Sequence, residues 1–285
     1  MAEQIVGAPR GNVLRIAVVS FGALVTALLF FADKTNLNNR KTSDISAPPA
    51  AQAPGARSLP PLAPDAQLDA WKQELAQAAP ERQLALYDSL IARLVLRGRY
   101  DHAAVFAVQR LAADSSLNFL LQAGTLSQQA AQMDLIRRDS VLASAFSGDA
   151  IRLLSALTAR DPSNEAALLA LGLAYVNSGK PENSMQGVLT IRKVLEINPD
   201  NAEAGYQLGV FSIQTGQYDK AAERLQRVLS RYPERQDARY QLAVAQAGLG
   251  DAAQARLLLE TVVKEASDPE LKLAARELLT QLSTN

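Results

Sequence analysis

Cysteine is absent from the 285-residue sequence, and histidine occurs only once, at His102. Disulfides and thiolate metal ligands are therefore excluded, and a metal site would depend almost entirely on carboxylates. Neither sign of charge predominates, because 29 Lys and Arg residues balance 29 Asp and Glu residues. A formal net charge of zero gives no basic field that would favour nucleic acid, so we predict no nucleic-acid partner.

Aromatic residues are also scarce, at 5% of the sequence. Leu, Ala and Gln are abundant, and these residues lose little conformational entropy in a helix, which favours helices over strands. The sequence contains no Gly-rich phosphate loop, no Gly-x-Ser-x-Gly elbow, no calcium-loop spacing and no paired carboxylates that suggest a catalytic site. His102 falls at a predicted turn, where a role at a helix entry is expected. We therefore predict no enzymatic activity, no bound metal and no cofactor.

One long apolar run begins close to the N-terminus. It extends from Ile16 to Ala32 without a charged residue, and at about 1.5 Å per residue it spans roughly 25 Å, slightly less than the ~30 Å hydrocarbon core of a bilayer. The run exceeds the apolar region of about 7–15 residues that is typical of a cleaved signal peptide, which is the alternative interpretation. We predict an N-terminal tail over residues 1–12 and a transmembrane signal anchor over residues 13–32.

The orientation of this anchor is predicted from weaker signals. Basic residues flank both ends of the apolar run, so their distribution hardly discriminates between the two orientations. Signal anchors generally place a short N-terminal tail inside, and we therefore predict a single-pass protein with a cytoplasmic N-terminus and a periplasmic or extracytoplasmic folded region. Small residues four positions apart, such as Gly22 and Thr26, allow two transmembrane helices to pack closely, so a homodimer is an open alternative.

Residues 33–67 are predicted to form a linker. Six prolines interrupt them, with Ala, Ser and Gly between, and few of the side chains could be buried. Such a composition is typical of a disordered, Pro/Ala-rich spacer.

Farther along the chain, two consecutive stretches repeat with a period of 34 residues. They are residues 202–235 and residues 236–269. A period of this length is typical of stacked helix pairs. A glycine in the middle of each stretch supplies a left-handed turn between the two helices, and a proline stops the second helix. The equivalent residues are Leu208 and Leu242, Gly209 and Ala243, Gly216 and Gly250, Ala221 and Ala255, Leu225 and Leu259, and Val228 and Val262.

These residues resemble the tetratricopeptide repeat (TPR) family, in a membrane-anchored, bacterial type of protein. The sequence departs from the family pattern at Gly205, where a large residue is usual, and at Ser212 and Gln246, where tyrosine is usual. The resemblance implies an all-α fold, a right-handed superhelical solenoid of antiparallel helix pairs. It assigns one repeat each to residues 165–201, 202–235 and 236–269, degenerate repeats to residues 68–164 and a capping helix to residues 270–285. The first repeat is expected to carry a loop insertion at residues 180–183.

The resemblance also implies that the first helix of each pair lines a groove for a protein or peptide partner. Coverage of the same side chains by the chain's own helices is the alternative. The cationic clamp of the chaperone-tail-binding members has no counterpart here, so a chaperone-tail adaptor is not expected. The implied partner-binding residues are Leu169, Leu173, Val176, Glu203, Tyr206, Val210, Ile213, Gln214, Asp237, Tyr240 and Val244.

The expected function is that of a membrane-anchored scaffold or adaptor that binds a polypeptide partner in envelope assembly. Two alternatives stay open, a self-assembling structural component and a regulatory subunit of a membrane complex.

Overall fold

A computed structural model describes residues 59–284. The predicted N-terminal tail, the signal anchor and linker residues 33–58 lie outside the described residues. Within residues 59–284 the structure contains thirteen helices and no strand. The chain forms two compact units, of which residues 59–190 belong to the first and residues 191–284 to the second. The predicted all-α class is confirmed.

The first unit consists of consecutive helices that contact one another in chain order: α2 with α3, α3 with α4, α4 with α6 and α6 with α7. The boundary between the two units falls within a further helix, α8. The helices are α1 (Ala66–Leu75), α2 (Pro80–Leu96), α3 (Tyr100–Arg110), α4 (Leu117–Gln132), α5 (Asp134–Arg137), α6 (Ser140–Arg160), α7 (Glu165–Val176) and α8 (Pro181–Ile197).

The core of the first unit is built around α4 and α6. Phe146, Leu154 and Leu157 of α6 are fully buried there. Gly124 of α4 permits the close approach of the two helices, because a Cβ at this position would lie only 2.6 Å from Leu154 Cγ. Helix α6 is long and apolar enough, by length and composition alone, to cross a membrane, and it is the only helix of residues 59–284 that passes this test. Several of its large apolar side chains, among them Leu142, Phe146 and Leu153, are instead part of the core, whereas Val141 is exposed.

The second unit repeats one motif, a helix pair joined by a glycine turn. Helices α9 (Ala202–Gln214) and α10 (Tyr218–Arg231) form one pair, and α11 (Gln236–Gly248) and α12 (Ala252–Glu265) form the next. Gly216 and Gly250 have φ angles of 72° and 85°, in the left-handed region that favours glycine. The final helix, α13 (Pro269–Thr284), packs against α12.

One helix boundary differs from the sequence prediction, and one long helical stretch is interrupted. Residues 181–183 form the first turn of α8 and are not part of an inserted loop. Proline is well suited to a first helical position, because its missing N–H would have no partner there and its φ angle is already helical. The stretch from Leu117 to Phe146 is broken, since Met133 has an extended backbone and Asp139 caps the next helix by accepting from the amides of Val141 and Leu142.

The end of the predicted linker is held against the first unit. Leu59 and Leu62 pack on the core. Asp65 caps α1 and accepts hydrogen bonds from Arg93 Nε and Arg97 Nη1, both at 2.7 Å. The hydrogen bond from Arg93 is the main reason that the pKa of Asp65 falls to about 2. Residues 59–65 are therefore ordered by these contacts, and Ala66 and Gln67, which the sequence prediction also assigned to the linker, begin α1.

His102 contributes to the same attachment at the start of α3. Its Nε2 lies 3.0 Å from the carbonyl oxygen of Pro60, which can only accept, so this hydrogen bond requires the proton on Nε2. Arg99 donates to the carbonyl oxygens of Pro60 and Pro61 at 2.6 and 2.8 Å. Burial is the main cause that lowers the pKa of His102. The single histidine thus has a structural role at a helix entry.

Candidate functional site

The partner-binding residues that the sequence implies are divided between the two units. In the first unit, Leu169 and Leu173 of α7 are buried and Val176 is half-buried. In the second unit, the structure places Tyr206, Val210 and Ile213 in one apolar cluster and Tyr240 and Val244 in another. Gln214 is exposed, at the end of α9.

The two tyrosines have an interior position. Tyr206 is 2% exposed and packs in the cluster formed by α9, α10 and α11, while Tyr240 is 5% exposed beside residues of α12 and α13. Burial raises the pKa of both hydroxyls, that of Tyr240 to about 12. The two side chains are therefore core residues of the second unit in this structure. A groove lined by these two tyrosines, Leu169, Leu173 and Val210 stays a prediction, and their burial favours the alternative that the chain's own helices cover them.

Charged residues from α9 and α11 surround the Tyr206 ring. Arg235 Nη1 lies 3.0 Å from Glu203 Oε2, and Arg235 Nε lies 3.1 Å from Asp237 Oδ1. The Arg235 guanidinium carbon is 4.7 Å from the centroid of the Tyr206 ring. Gln207 Nε2 donates to Glu203 Oε1 at 2.8 Å. Two carboxylates and an aromatic ring thus share a single guanidinium, which combines ion pairing with a cation–π contact.

Burial determines the electrostatics of this cluster. Desolvation is the largest influence on Glu203 and raises the pKa of its carboxyl, although Arg235 and Gln207 act in the opposite direction. The Arg235 side chain is 20% exposed, so its pairs with the carboxylates are only weakly screened by water. The cluster carries one more negative than positive charge when all three groups are ionised.

A buried amide lies next to this cluster. Gln241 of α11 is 2% exposed, and its side chain hydrogen-bonds with Tyr206. Its Oε1 atom has no hydrogen-bond partner among residues 59–284. A buried acceptor without a donor costs about 1–3 kcal/mol, so native structures contain few of them. Gln241 Oε1 is therefore an unsatisfied acceptor in the interior of the second unit.

The first unit contains a larger set of such acceptors, all on α4. Thr125 and Gln128 are 2% and 6% exposed, and Gln122 is half-buried. Thr125 Oγ1, Gln128 Oε1 and Gln122 Oε1 have no hydrogen-bond partner in the described part of the chain. Ser127 differs, because its hydroxyl donates to the Ala123 carbonyl oxygen at 2.8 Å. We call Gln122, Thr125 and Gln128 the α4 polar face.

Sequence reasoning missed the α4 polar face because it assigned this region only to degenerate repeats, over residues 68–164. A signal was present, since polar residues recur at helical spacing within an otherwise apolar stretch. Metal chemistry is not indicated by the side-chain arrangement, because residues 59–284 contain no group of three or more His, Asp or Glu residues placed to hold a metal ion.

The repeated glycine-turned helix pairs of the second unit define the class of protein as a helical-repeat protein. Two family models, both described as tetratricopeptide repeat, match residues 139–202 and, in two overlapping copies, residues 189–233 and 212–278. Residues 139–278 of the chain therefore contain tetratricopeptide repeats. No curated protein matches the sequence significantly.

Solved structures share the fold. One is TTC0263, a thermophilic TPR protein of Thermus thermophilus, at 19% identity and a TM-score of 0.53, covering 73% of this chain and 100% of that one. Another is a tetratricopeptide repeat protein of Parabacteroides merdae, at 17% identity and a TM-score of 0.59, covering 76% of this chain and 79% of that one. Tetratricopeptide repeats are typically non-catalytic modules that bind proteins or peptides. The resemblance to this family is confirmed, whereas the membrane-anchored type stays a prediction.

Proposed function

We propose that this protein is a membrane-anchored scaffold or adaptor that binds an extended polypeptide partner in the assembly of the cell envelope. The observation that carries the proposal is the tetratricopeptide repeat fold, which typically binds proteins or peptides, and the buried acceptor oxygens without donors, on the α4 polar face and at Gln241, are the proposed contact points. An extended peptide supplies main-chain N–H groups at regular intervals, and these would reach the oxygens only when the side chains that cover them move aside.

The composition of the two sites supports recognition of the peptide backbone. Their unpaired atoms are neutral amide and hydroxyl oxygens, which accept N–H groups irrespective of the side chains that the peptide carries. Val176, Ile213 and Val244 are half-buried apolar residues that retain surface for side-chain contacts. Together with Glu203, Gln214 and Asp237 they remain the proposed contact residues of the implied groove.

Replacing Gln128 with methionine tests the proposal, because stability and binding should change in opposite directions. Methionine has nearly the same volume and removes the unsatisfied acceptor, so we expect the free energy of unfolding to rise by about 1 kcal/mol. Binding of soluble peptides from a randomised pool to the full-length chain should weaken at least about fivefold. Urea unfolding and fluorescence anisotropy measure the two effects.

Ser127→Ala is the matched control for this variant. Its hydroxyl is already bonded within α4, so the substitution should leave peptide affinity unchanged. Peptides with N-methylated backbones lack the N–H donors and should bind neither the wild type nor the Ser127→Ala variant. If Gln128→Met increases stability and peptide affinity is unaffected, the α4 polar face is not a polypeptide site.

Membrane attachment is tested by deleting residues 13–32. The proposal assigns the anchor to this segment, since the largest apolar side chains of α6 pack in the core of the first unit. The deleted protein should move from the carbonate-resistant membrane fraction to the supernatant. The intact protein should be cleaved within its repeats by protease added to the outside of spheroplasts. Membrane retention after the deletion would show that another segment anchors the chain, and protection of the repeats would reverse the proposed orientation.

A further inference from the structure

Helix α9 of the second unit is buried on every side along its central turns. Each residue from Ala204 to Val210 is buried, whereas the outer helix α10 keeps an exposed side. A helix with no solvent-facing side has neighbours all around it. Within the described part of the chain, α10 and α11 contact α9, and Leu195 at the end of α8 lies near Gly205.

Gln207 marks a side of α9 that points away from α10. The side that faces α10 carries Gly209, where an added Cβ would lie 2.8 Å from Leu225 Cγ. At about 100° per residue, Gln207 lies roughly opposite this glycine. Its side chain is nevertheless only 6% exposed. The burial of Gln207 therefore calls for a cover on the side of α9 remote from α10.

Gln241 repeats this position on α11, one repeat period after Gln207. It is 2% exposed, and its Oε1 atom has no hydrogen-bond partner among residues 59–284. Buried acceptors in native proteins are nearly always satisfied, so the cover is expected to supply a hydrogen-bond donor. We call the side of α9 and α11 that carries these two glutamines the inner face.

One end of the inner face has an excess of negative charge. Glu203 and Asp237 share the guanidinium group of Arg235 there. The three side chains are between 15% and 20% exposed, so they remain within reach of a further charged group. An apolar segment with a positive charge at one end would complement the inner face in both polarity and charge.

The N-terminal apolar segment of the chain has these properties. Residues 13–32 contain the long uncharged run, with Arg15 directly before it and the hydroxyl groups of Ser20 and Thr26 within it. A hydroxyl can donate to a glutamine oxygen, and the guanidinium can pair with a carboxylate. As a helix the run would be roughly 25 Å long, which is comparable with two helices side by side, each about 10 Å wide.

We propose that residues 13–32 lie on the inner face of α9 and α11 whenever they are outside the membrane. Linker residues 33–58 reach up to roughly 90 Å when extended, so the segment can return to the folded part of the chain. The inference rests on the proposed function, which makes the same segment the membrane anchor. The two positions exclude each other, so insertion of the anchor uncovers the inner face and admits the polypeptide partner only at the membrane.

Introduced cysteines test this position, because the chain has none of its own. Full-length Gln207→Cys is combined with one cysteine in the segment and synthesised without membranes. Oxidation should form an intramolecular disulfide at least about tenfold more efficiently than with Gln226→Cys, on the exposed side of α10. The segment variants, made one at a time, are Ala17→Cys, Ala23→Cys and Ala27→Cys.

Membrane vesicles added during synthesis separate the two proposals. They should lower the yield of the disulfide at least about fivefold, because the segment moves into the bilayer. If the vesicles retain the chain but no pair forms a disulfide without them, the inner face is not the site of the segment and the anchor stands. If a pair forms the disulfide and the vesicles never retain the chain, the segment covers the inner face but is not an anchor. Disulfides between two chains would assign the cover to a second copy and overturn the proposal.

Deletion of residues 13–32 should open the inner face to reagents. In the absence of membranes, maleimide labelling of Gln207→Cys should become at least about tenfold faster after the deletion, because the thiol becomes accessible. Gln226→Cys is the matched control and should be labelled equally fast in both backgrounds. Slow labelling of Gln207→Cys in a deletion variant that keeps its helicity by circular dichroism would also overturn the proposal.

Discussion

Replacing Phe146 with alanine is expected to lower the free energy of unfolding of the first unit by about 3–5 kcal/mol. Phe146 is one of the largest fully buried side chains of the chain's described part, and it lies on α6 in the core shared with α4. Removal of its ring leaves a cavity that the surrounding helices fill only in part. Trp71, the only tryptophan of the sequence, packs against the same core, so its fluorescence during urea unfolding reports this unit.

Phe146→Leu is the matched control, because it keeps most of the volume and should cost less than about 1.5 kcal/mol. The comparison also bears on α6 as a whole, since its hydropathy alone would permit a membrane span. A loss below about 1 kcal/mol for Phe146→Ala would contradict the role of α6 as the central core helix of the first unit.

Arg235→Gln is expected to destabilise the second unit by about 2–3 kcal/mol at neutral pH. The substitution leaves Glu203 and Asp237 without their shared counter-charge, and breaking a buried pair by removing one partner typically costs about 3–5 kcal/mol. The somewhat smaller figure reflects the partial exposure of Arg235. Hydrogen exchange of the α9 and α11 amides measures the effect, because the second unit contains no tryptophan.

The loss of stability in Arg235→Gln should depend on pH, because the protonation of Glu203 changes with pH. The pKa of this carboxyl is raised in the folded protein above its ordinary value of 4.5, chiefly by burial. A raised pKa contributes stability that is fully present below 4.5 and is lost as the pH rises through the folded value. The unpaired charge of Glu203 in the variant is therefore costly at neutral pH and is neutralised towards pH 4.5, so the difference from the wild type should shrink as the solution is acidified.

Glu203→Gln is the control for this pH dependence. It removes the buried charge and retains an acceptor for Gln207, so at neutral pH it should be less destabilising than Arg235→Gln, and the pH dependence between about 4.5 and 7 should flatten. If Arg235→Gln has the same effect at both ends of this range, Glu203 is not the group that responds to the loss of the guanidinium.

The repeat could be read from the sequence because it depends on local rules. Gly216 and Gly250 must adopt a left-handed turn, and Pro199 and Pro233 cannot continue a helix, so the helix pairs follow from spacing alone. The charge pairs at the linker end could not be found this way. Asp65 meets Arg93 and Arg97 only after α1 and α2 have folded against each other.

The proposed groove could also be predicted from the sequence only in part. Position in the repeat correctly assigned Tyr206 and Tyr240 to the first helix of each pair, but their burial depends on what packs against those helices. The α4 polar face was invisible for a related reason. An unsatisfied oxygen on Gln128 is recognised only when the neighbours of that atom are known.

The spacing of the turn glycines shows how regular the repeats are along the chain. Gly216 and Gly250 are 34 positions apart, one full period, and Gly179 precedes Gly216 by 37. Gly98 precedes Gly179 by 81 positions, which exceeds two periods by 13 and includes the short α5 and the 21-residue α6. The two helix pairs of the second unit are therefore in phase with each other, whereas the turn glycines of the first unit do not follow the 34-residue period.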